Sequence, residues 1–461
     1  MAKVRAPLGG ALVLLAAIAC NATSEGETPS EACTRDDQCK GSRICVSGAC
    51  TDPSSNDGGG TVDGAPPPND ASSGDGSLPA DASDAPIIEG GADTGTDAGD
   101  VVLVGNYVIQ NAADVAAIAN VTVITGELRV AGPVGLLSLP LLREVGSLWT
   151  VAHTTTALDF PALTTVQGIL HIDTDATALT FPALASVAGD FSLSGTSLTS
   201  ATFSKLLGSL SGTLTVTWTS LADLSGFAGL TGLGGLVLRN NAELTDLSAL
   251  SGLTGSLPNG LAIGIDPLNA NPKLTTLNGL GGITYASTVE IKGNAALTSL
   301  SGLSGLVETS RFQITENPKL QTFGMPAFVR LKKAGPNLSP TFYVQKNVAL
   351  THFDLPAMTT WGEPAGAGTV VYINQNASLT TIDLPELTTV WVSGDFRISL
   401  NDKLVTLGLP KLVTLNPNQT QTTNIVQNPM LKACLVTALG QQLVPARTMV
   451  TTGDNGVGTC P

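Results

Sequence analysis

The sequence predicts an all-β chain whose main part is a parallel β-solenoid of about thirteen turns, preceded by a disordered linker. Two short phrases recur along residues 105–461, and the chain is 43% hydrophobic but only 4% aromatic and 13% charged. Repetition at a period of roughly 20 to 50 residues indicates a solenoid, because one short unit cannot bury its apolar side alone while stacked units can. A narrow solenoid interior also takes Leu, Val and Ile more readily than aromatic rings.

Residues 1–19 have the pattern of a signal peptide. Lys3 and Arg5 precede an apolar run over residues 8–19, which ends in small residues just before Cys20. No run in the chain approaches the roughly 18 to 20 apolar residues that a membrane-spanning helix needs. The positive mean hydropathy of +0.25 therefore does not indicate a membrane-spanning protein.

A cysteine without an obvious partner stands at the cleavage point. Of the seven cysteines, four cluster near the N-terminus, two lie near the C-terminus, and Cys20 is left over. The sequence Ala17-Ile18-Ala19-Cys20 resembles the lipobox of a bacterial lipoprotein, which implies that Cys20 is acylated and that residues 20–32 form a lipid-anchored segment. Asn21 after the cysteine resembles the signal that sorts lipoproteins to the outer membrane, and it implies anchoring there or at the cell surface. Ala-x-Ala also suits ordinary signal peptidase, so a secreted protein is the alternative.

Residues 33–50 resemble a small disulfide module found near the start of bacterial surface lipoproteins. The spacing is Cys-x5-Cys-x5-Cys-x4-Cys, formed by Cys33, Cys39, Cys45 and Cys50. Zinc is the alternative, but close Cys-x2-Cys pairs are absent and the expected compartment is oxidising. We therefore expect two disulfides, whose pairing the sequence leaves open.

Residues 51–104 are predicted to be an acidic, disordered linker. Residues 51–100 contain eleven acidic residues and no Lys or Arg, and Gly, Ser, Pro and Ala fill most of the rest. Such a segment cannot bury enough apolar surface to fold, and self-repulsion extends it. The Asp-x-Asp-x-Asp-Gly calcium loop is absent, so no metal is assigned. The net charge of −15 and the lack of a basic patch exclude nucleic acid as a partner.

Residues 105–461 are assigned to the solenoid, most strongly by an asparagine column. The repeated phrase is apolar-x-apolar-x-x-Asn-x-x-apolar-x-x-apolar, in which the first apolar pair is a short strand with alternate side chains inward. Successive Asn residues are 23 to 30 positions apart, and the variation falls in Gly-, Pro- and Thr-rich stretches that we interpret as loops. The Asn amides are predicted to bond to neighbouring backbone and to one another. The column consists of Asn241, Asn271, Asn294, Asn317, Asn347, Asn376, Asn401 and Asn428.

Upstream turns carry a second phrase, apolar-Pro-x-Leu-x-x-Val followed by Gly and a strand. Because proline cannot donate a hydrogen bond to a ladder, the phrase marks a bend between strands. One strand per turn gives thirteen turns and a rod roughly 60 Å long. The predicted strand starts are Leu128, Trp149, Leu170, Phe191, Leu214, Leu236, Leu261, Val289, Phe312, Phe342, Val371, Phe396 and Thr423.

The opening of this region resembles a receptor L-domain. An amphipathic segment runs from Asn111, a predicted N-cap, to Ile118, and an apolar strand sequence with a central Gly126 ends at Val130. The interior Leu-x-x-Val-x-Gly-x-Leu-x-Ile phrases are similar to turns of that family and to leucine-rich repeats. The resemblance covers about residues 105–461 and implies a right-handed single-chain β-helix. No ligand-binding motif of the receptors has a counterpart here.

The last turn is predicted to be closed by a disulfide. Cys434 stands in the inward column that Leu407 fills one turn earlier, and Cys460 is its natural partner. We expect this pair to cap the C-terminal end of the solenoid.

Catalytic patterns are scarce. The sequence has three histidines and lacks a nucleophile elbow, a phosphate loop and zinc-ligand spacing. The strongest candidate is His171-x-Asp173-x-Asp175, in which His171 and Asp173 would share an outward strand face and could hold a metal or act as a base. A polysaccharide-cleaving enzyme would need several carboxylates converging on that face, and the outward positions are too mixed for this. No catalytic residue, metal or cofactor is assigned.

The predicted function is that of a non-catalytic, lipid-anchored binding or adhesion protein, which recognises a protein or a glycan. An anchor, a tether and a rigid extended face favour this interpretation. Tyr343, Tyr372 and Arg397 occupy the same outward position in three successive turns. We assign them to the binding face, because exposed rings beside a guanidinium suit sugars or peptide side chains. Two alternatives stay open: a structural spacer of the cell envelope, and a polysaccharide-acting β-helix enzyme.

Overall fold

A computed structural model describes residues 99–461 apart from 152–153, 266–267, 269, 333–339, 363–368, 392–394, 416–422, 447–454 and 459–461, together with the backbones of three strands upstream. The chain forms two compact units, residues 1–80 and residues 81–461. In the first unit, β1 (Ile44–Val46) and β2 (Ala49–Thr51) pair antiparallel, with Cys45 opposite Cys50 in the register. The predicted signal peptide, Cys20, Cys33, Cys39 and most of the predicted linker lie outside the described residues.

The second unit is a parallel β-solenoid of about thirteen turns, which confirms the fold class predicted from the sequence. Each turn contributes a strand to one continuous parallel sheet, which we call the front sheet, and each strand pairs with its equivalents in the turns before and after it. The strands of the front sheet are β5 (Tyr107–Ile109), β6 (Val123–Val130), β8 (Glu144–Thr150), β11 (Leu170–Asp173), β14 (Phe191–Gly195), β16 (Gly208–Thr219), β17 (Leu230–Arg239), β19 (Gly260–Ile263), β20 (Gly282–Lys292), β21 (Glu308–Thr315), β23 (Thr341–Gln345), β26 (Val370–Asn374), β29 (Phe396–Ser399) and β32 (Thr423–Val426).

A second sheet is formed by the segments that precede the front strands in each turn. Long strands such as β16 and β17 run from this sheet into the front sheet, and their register shifts where they bend. Its separate strands are β4 (Val101–Val104), β10 (Thr165–Val166), β13 (Ser186–Val187), β18 (Thr254–Leu257), β22 (Arg330–Leu331), β25 (Thr360–Trp361), β28 (Thr389–Val390) and β31 (Thr414–Leu415).

The solenoid begins before residue 105, the boundary predicted from the sequence. Leu103 in β4 is fully buried and pairs with Ile124 of β6. A further strand, β3 (Ile87–Gly90), pairs antiparallel with β4 inside the segment assigned to the linker. The acidic composition of that segment hid the apolar run Val101–Val104, which supplies the side chain that a first strand must bury.

The third side of each turn follows the asparagine column and varies along the solenoid. Several middle turns form short 3-10 segments there, at Ser225–Phe227, Ser248–Leu250 and Ser301–Leu303. Turns nearer the ends form short parallel strands instead. These strands are β7 (Gly135–Ser138), β9 (Thr155–Asp159), β12 (Ala178–Thr180), β15 (Ser200–Thr202), β24 (His352–Asp354), β27 (Thr381–Asp383) and β30 (Thr406–Gly408).

Helices accompany the first and last turns. Helix α1 (Ala112–Ala117) begins at Asn111, whose side chain accepts from a backbone N–H while the Asp114 carboxylate accepts from the Asn111 N–H, so the predicted N-cap is confirmed. Helix α2 (Ala433–Gln442) follows the last front strand and holds Cys434 in its first turn, partly exposed. Cys434 therefore does not take the inward strand position predicted for it, because the chain continues as a helix there.

In β8, the second of the predicted front strands, the inward position predicted for Trp149 is taken by the residue before it. Leu148 is fully buried and pairs with Leu128 and Leu170, so it fills the inward column. Trp149 pairs with Arg129 and consequently lies in the outward column. The prediction that Trp149 starts the strand is wrong because this turn is one residue shorter than its neighbours before the strand.

Candidate binding face of the solenoid

The asparagine column lines the corner that follows each front strand. All eight residues are at most 1% exposed. Each amide bonds in both directions along the solenoid. Asn317 Nδ2, for example, donates to Asn347 Oδ1 at 3.2 Å and to the Ile291 carbonyl, one turn back, at 2.9 Å. Asn317 Oδ1 accepts from the Asn294 backbone N–H at 3.0 Å. The ladder thus uses the polar groups of the corner for structure, not for a ligand.

The ladder extends beyond the predicted column at one end and meets a threonine at the other. The Asn428 backbone N–H donates to Asn455 Oδ1 at 3.0 Å, and Asn455 in turn donates to the Ile425 carbonyl. Thr219, at the equivalent corner one turn before Asn241, donates its hydroxyl to Asn241 Oδ1 at 2.7 Å. Sequence analysis missed Asn455, although its spacing of 27 residues from Asn428 lies within the range of the other turns.

The residue just before the corner has a left-handed backbone in turn after turn. This conformation costs a residue other than glycine about 1–2 kcal/mol, so the surrounding hydrogen bonds must hold the corner in place. The repeated sequence phrase did not reveal this left-handed backbone, because few of the residues found at the position favour positive φ. With φ between 55° and 59°, they are Trp218, Asn240, Glu316, Lys346, Gln375, Leu400 and Gln427.

The three residues assigned to binding lie side by side on the front sheet. Tyr343 is paired in register with Tyr372, and Tyr372 with Arg397. The two tyrosine rings are stacked, with centroids 5.2 Å apart and planes 12° from parallel. All three side chains are partly exposed. The sheet therefore presents a continuous surface of two rings and a guanidinium.

Charged groups flank the tyrosine pair on both sides. Burial raises the pKa of the Tyr343 hydroxyl, which Arg311 opposes. Burial also raises the pKa of Tyr372, and the charge of Asp395 and a hydrogen bond to it act in the same direction. Both hydroxyls consequently stay protonated at neutral pH and can donate as well as accept.

A second aromatic cluster occupies the same outward column near the N-terminal end. The guanidinium carbon of Arg129 lies 5.8 Å from the centroid of the Trp149 ring. Trp149 is in turn stacked on His171, with centroids 4.0 Å apart and planes 16° from parallel. Sequence analysis missed this cluster because it placed Trp149 inward. The available signal was the interval from Val145 to Leu148, shorter by one residue than in neighbouring turns.

His171, Asp173 and Asp175 do not converge on one point. His171 packs against Trp149, and this burial lowers the pKa of its imidazole, while the Asp173 carboxylate raises it and Arg129 lowers it further. Asp175 follows Thr174, whose buried hydroxyl donates to the Thr155 carbonyl at the corner, and the Asp175 backbone N–H donates to the same carbonyl at 3.0 Å. Over the part of the chain that the structure describes, no three His, Cys, Asp or Glu side chains are arranged to hold a metal ion.

Comparison with known proteins gives no relative: no family model matches the chain, and no curated protein matches it. The assignment to the parallel β-solenoids therefore rests on the structure. Neither of the described helices has the length and apolar character needed to cross a membrane.

The predicted disulfides fall mostly on side chains outside the described residues. Cys434 is disulfide-bonded, and its Sγ lies 3.6 Å from the Gly458 carbonyl oxygen. Cys460 is outside the described residues, so its pairing with Cys434 stays a prediction. The same holds for the two disulfides expected within residues 33–50.

Proposed function

We propose that this chain is a lipid-anchored protein of the bacterial cell surface or outer membrane, whose solenoid resembles a receptor L-domain and binds a protein or glycan without catalysis. The stacked pair Tyr343–Tyr372 is the observation that carries the proposal. Two rings fixed on a rigid sheet offer a large apolar contact area and lose little conformational entropy when a ligand binds.

The polar groups around the pair support a ligand with both donors and acceptors. Arg397 borders Tyr372 on one side, and Arg311 lies near Tyr343 on the other. Asp395, which accepts from Asn424 Nδ2 at 3.4 Å, adds an acceptor beside Tyr372. A sugar or a polar peptide matches this mixture better than a purely apolar or polyanionic partner.

The double replacement Tyr343→Ala with Tyr372→Ala tests this binding face. Binding to the protein or glycan that this face recognises, identified with the full chain on a glycan array and in cell-envelope extract, should be lost, while Tm changes by only about 2–4 °C because the rings are partly exposed. Thr215→Ala with Val237→Ala alters the same outward column away from the pair and should keep binding. Undiminished binding by the tyrosine variant would reject this face. Absence of binding by the unaltered chain would favour the structural spacer.

The anchor is proposed at Cys20. Protein extracted from membranes should have Cys20 as its first residue and carry a diacylglycerol group, measurable by intact mass. Cys20→Ser should release the protein from the membrane fraction, whereas Cys434→Ser should not. A mature chain that begins at an unmodified Cys20, or at another residue, would reject the anchor and favour secretion.

A further inference from the structure

Trp218 is costly to the fold at its position. It is 55% exposed, and its backbone is left-handed with φ 56°. A bulky side chain is unfavourable in that conformation, and an indole that stays exposed gains little from burial. The equivalent corner position holds Gly293 or flexible polar residues such as Glu316 and Lys346 in other turns. Folding alone therefore gives no reason for a tryptophan here.

The ring lines a cleft on its N-terminal side that also contains polar side chains. This cleft has a volume of 230 Å³, and its lining includes Trp218, Asp173, Asp175, Ser194 and Thr217. Sites for drug-sized ligands occupy about 300–1,000 Å³. The cleft is therefore suited to one small ring, with an aromatic wall, two carboxylates and two hydroxyls around it.

The floor of the cleft is fixed before any ligand arrives. Gly195, one turn earlier, pairs in register with Thr219, the residue after Trp218, and a Cβ on Gly195 would clash with the Thr174 carbonyl. Thr174 is itself buried, with its hydroxyl donating to the Thr155 carbonyl at 3.0 Å. Because these two corner residues project nothing outward, the space below the indole stays open and has a defined shape.

We propose that this cleft binds a neutral pyranose unit of a glycan, stacked on the indole of Trp218 and held through its hydroxyls by Asp173 and Asp175. The C–H face of a pyranose is apolar and packs on an aromatic ring. The hydroxyls of the sugar donate hydrogen bonds, which the carboxylates accept. Ser194 and Thr217 can donate or accept and so complete the match. The two carboxylates repel sulfated, phosphorylated or carboxylated sugars.

This site is independent of the tyrosine pair. Trp218 and Tyr343 lie on turns five steps apart, which corresponds to about 24 Å at strand spacing. The cleft on the other side of the ring, with a volume of 270 Å³, is lined by Leu268, Ala270 and Pro272 and is more apolar. It can receive the aglycone or the next residue of a longer chain.

Saturation-transfer-difference NMR on the full chain tests the proposal, with the methyl glycosides of glucose, galactose, mannose and N-acetylglucosamine as probes. At least one should receive saturation at its ring C–H protons. Trp218→Gly should lower its affinity at least tenfold while Tm stays equal or rises, because glycine relieves the left-handed backbone. That combination separates loss of the ring from loss of the fold.

Matched variants make the result decisive. Leu400→Gly removes a side chain at the same corner position, with φ 58°, outside the cleft, and should keep binding. Asp173→Asn with Asp175→Asn should weaken binding of the glycoside at least fivefold, and this double variant tests the proposal by itself if Trp218→Gly does not fold. Tyr343→Ala with Tyr372→Ala should leave binding of the glycoside unchanged. Saturation transfer to none of the glycosides, or full affinity in Trp218→Gly, would overturn the proposal.

Discussion

The turns from Asn241 onward and the turns before Thr219 bond the backbone polar groups of the same corner in two ways. In the later turns a buried amide fills the corner and bonds to the turns on both sides. In the earlier turns a threonine hydroxyl makes the hydrogen bonds at the corner. Thr174 Oγ1 donates to the Thr155 carbonyl at 3.0 Å and accepts from the Thr155 hydroxyl at 3.1 Å.

The difference follows from the number of donors. An asparagine amide has two N–H donors and an oxygen that accepts more than one bond, so a column of them can propagate from turn to turn. A threonine hydroxyl has only one donor, so it can link two neighbouring turns but cannot continue a column. The earlier corners are therefore less filled, and the cleft beside Trp218 lies where the ladder has not yet begun. We therefore expect the turns with the asparagine ladder to be the more stable part of the solenoid.

Removal of an amide from the middle of the ladder should have the largest effect. Asn317→Ala leaves the Ile291 carbonyl and the Asn294 backbone N–H unpaired in a buried corner, and each unpaired group costs about 1–3 kcal/mol. We expect a loss of about 3 kcal/mol or more, measured by chemical denaturation with local hydrogen exchange, since long solenoids need not unfold in one step. Thr174→Ala, at a hydroxyl corner, removes the partner of the Ala176 N–H and of the Thr155 hydroxyl but leaves the Thr155 carbonyl paired with the Asp175 N–H, so it should lose less, about 1–2 kcal/mol. Equal losses in the two variants would contradict the ranking.

The junction between the two regions should be intermediate in sensitivity. Thr219→Ala removes the 2.7 Å bond to Asn241 Oδ1, but the Thr219 backbone N–H still donates to the same oxygen at 3.2 Å. The expected loss is about 1 kcal/mol, together with faster exchange of the amides around Asn241. Thr219→Ser keeps the hydroxyl and should keep the protection. Unchanged exchange in Thr219→Ala would mean that the ladder needs no terminal donor.

The same comparison explains what the sequence could predict. A buried amide tolerates few replacements, so the later turns repeat Asn visibly and their strands are placed in the correct register. Corners built from Thr have no single signature, so the upstream register rests on the proline phrase and on spacing. A one-residue deletion before Leu148 was enough to place Trp149 on the wrong face.

Binding residues were harder to predict than strands. Tyr343 and Tyr372 follow from alternation along well-marked strands, because outward positions are fixed once inward ones are known. Trp218 is the penultimate residue of β16, at a corner where the backbone is left-handed, and the residue types found there do not reveal that conformation. Trp218 and Asp173 line the same cleft although they are 45 residues apart in the sequence, so no sequence motif contains both.

The smallest expected effect is a pH dependence confined to the hydroxyl-based turns. Burial against Trp149 lowers the pKa of His171 below its usual value of about 6.5, so the unfolded chain takes up this proton first as pH falls. The contribution of His171 to stability is therefore complete above about pH 6.5 and is lost as pH falls through the lowered pKa.

Comparison of Tm between pH 7.5 and 5 should show a weaker dependence in His171→Phe than in the unaltered chain. The asparagine ladder, which has no titrating side chain, should keep its exchange protection throughout. Identical pH profiles for His171→Phe and the unaltered chain would show that the stacked imidazole is not held in its neutral form.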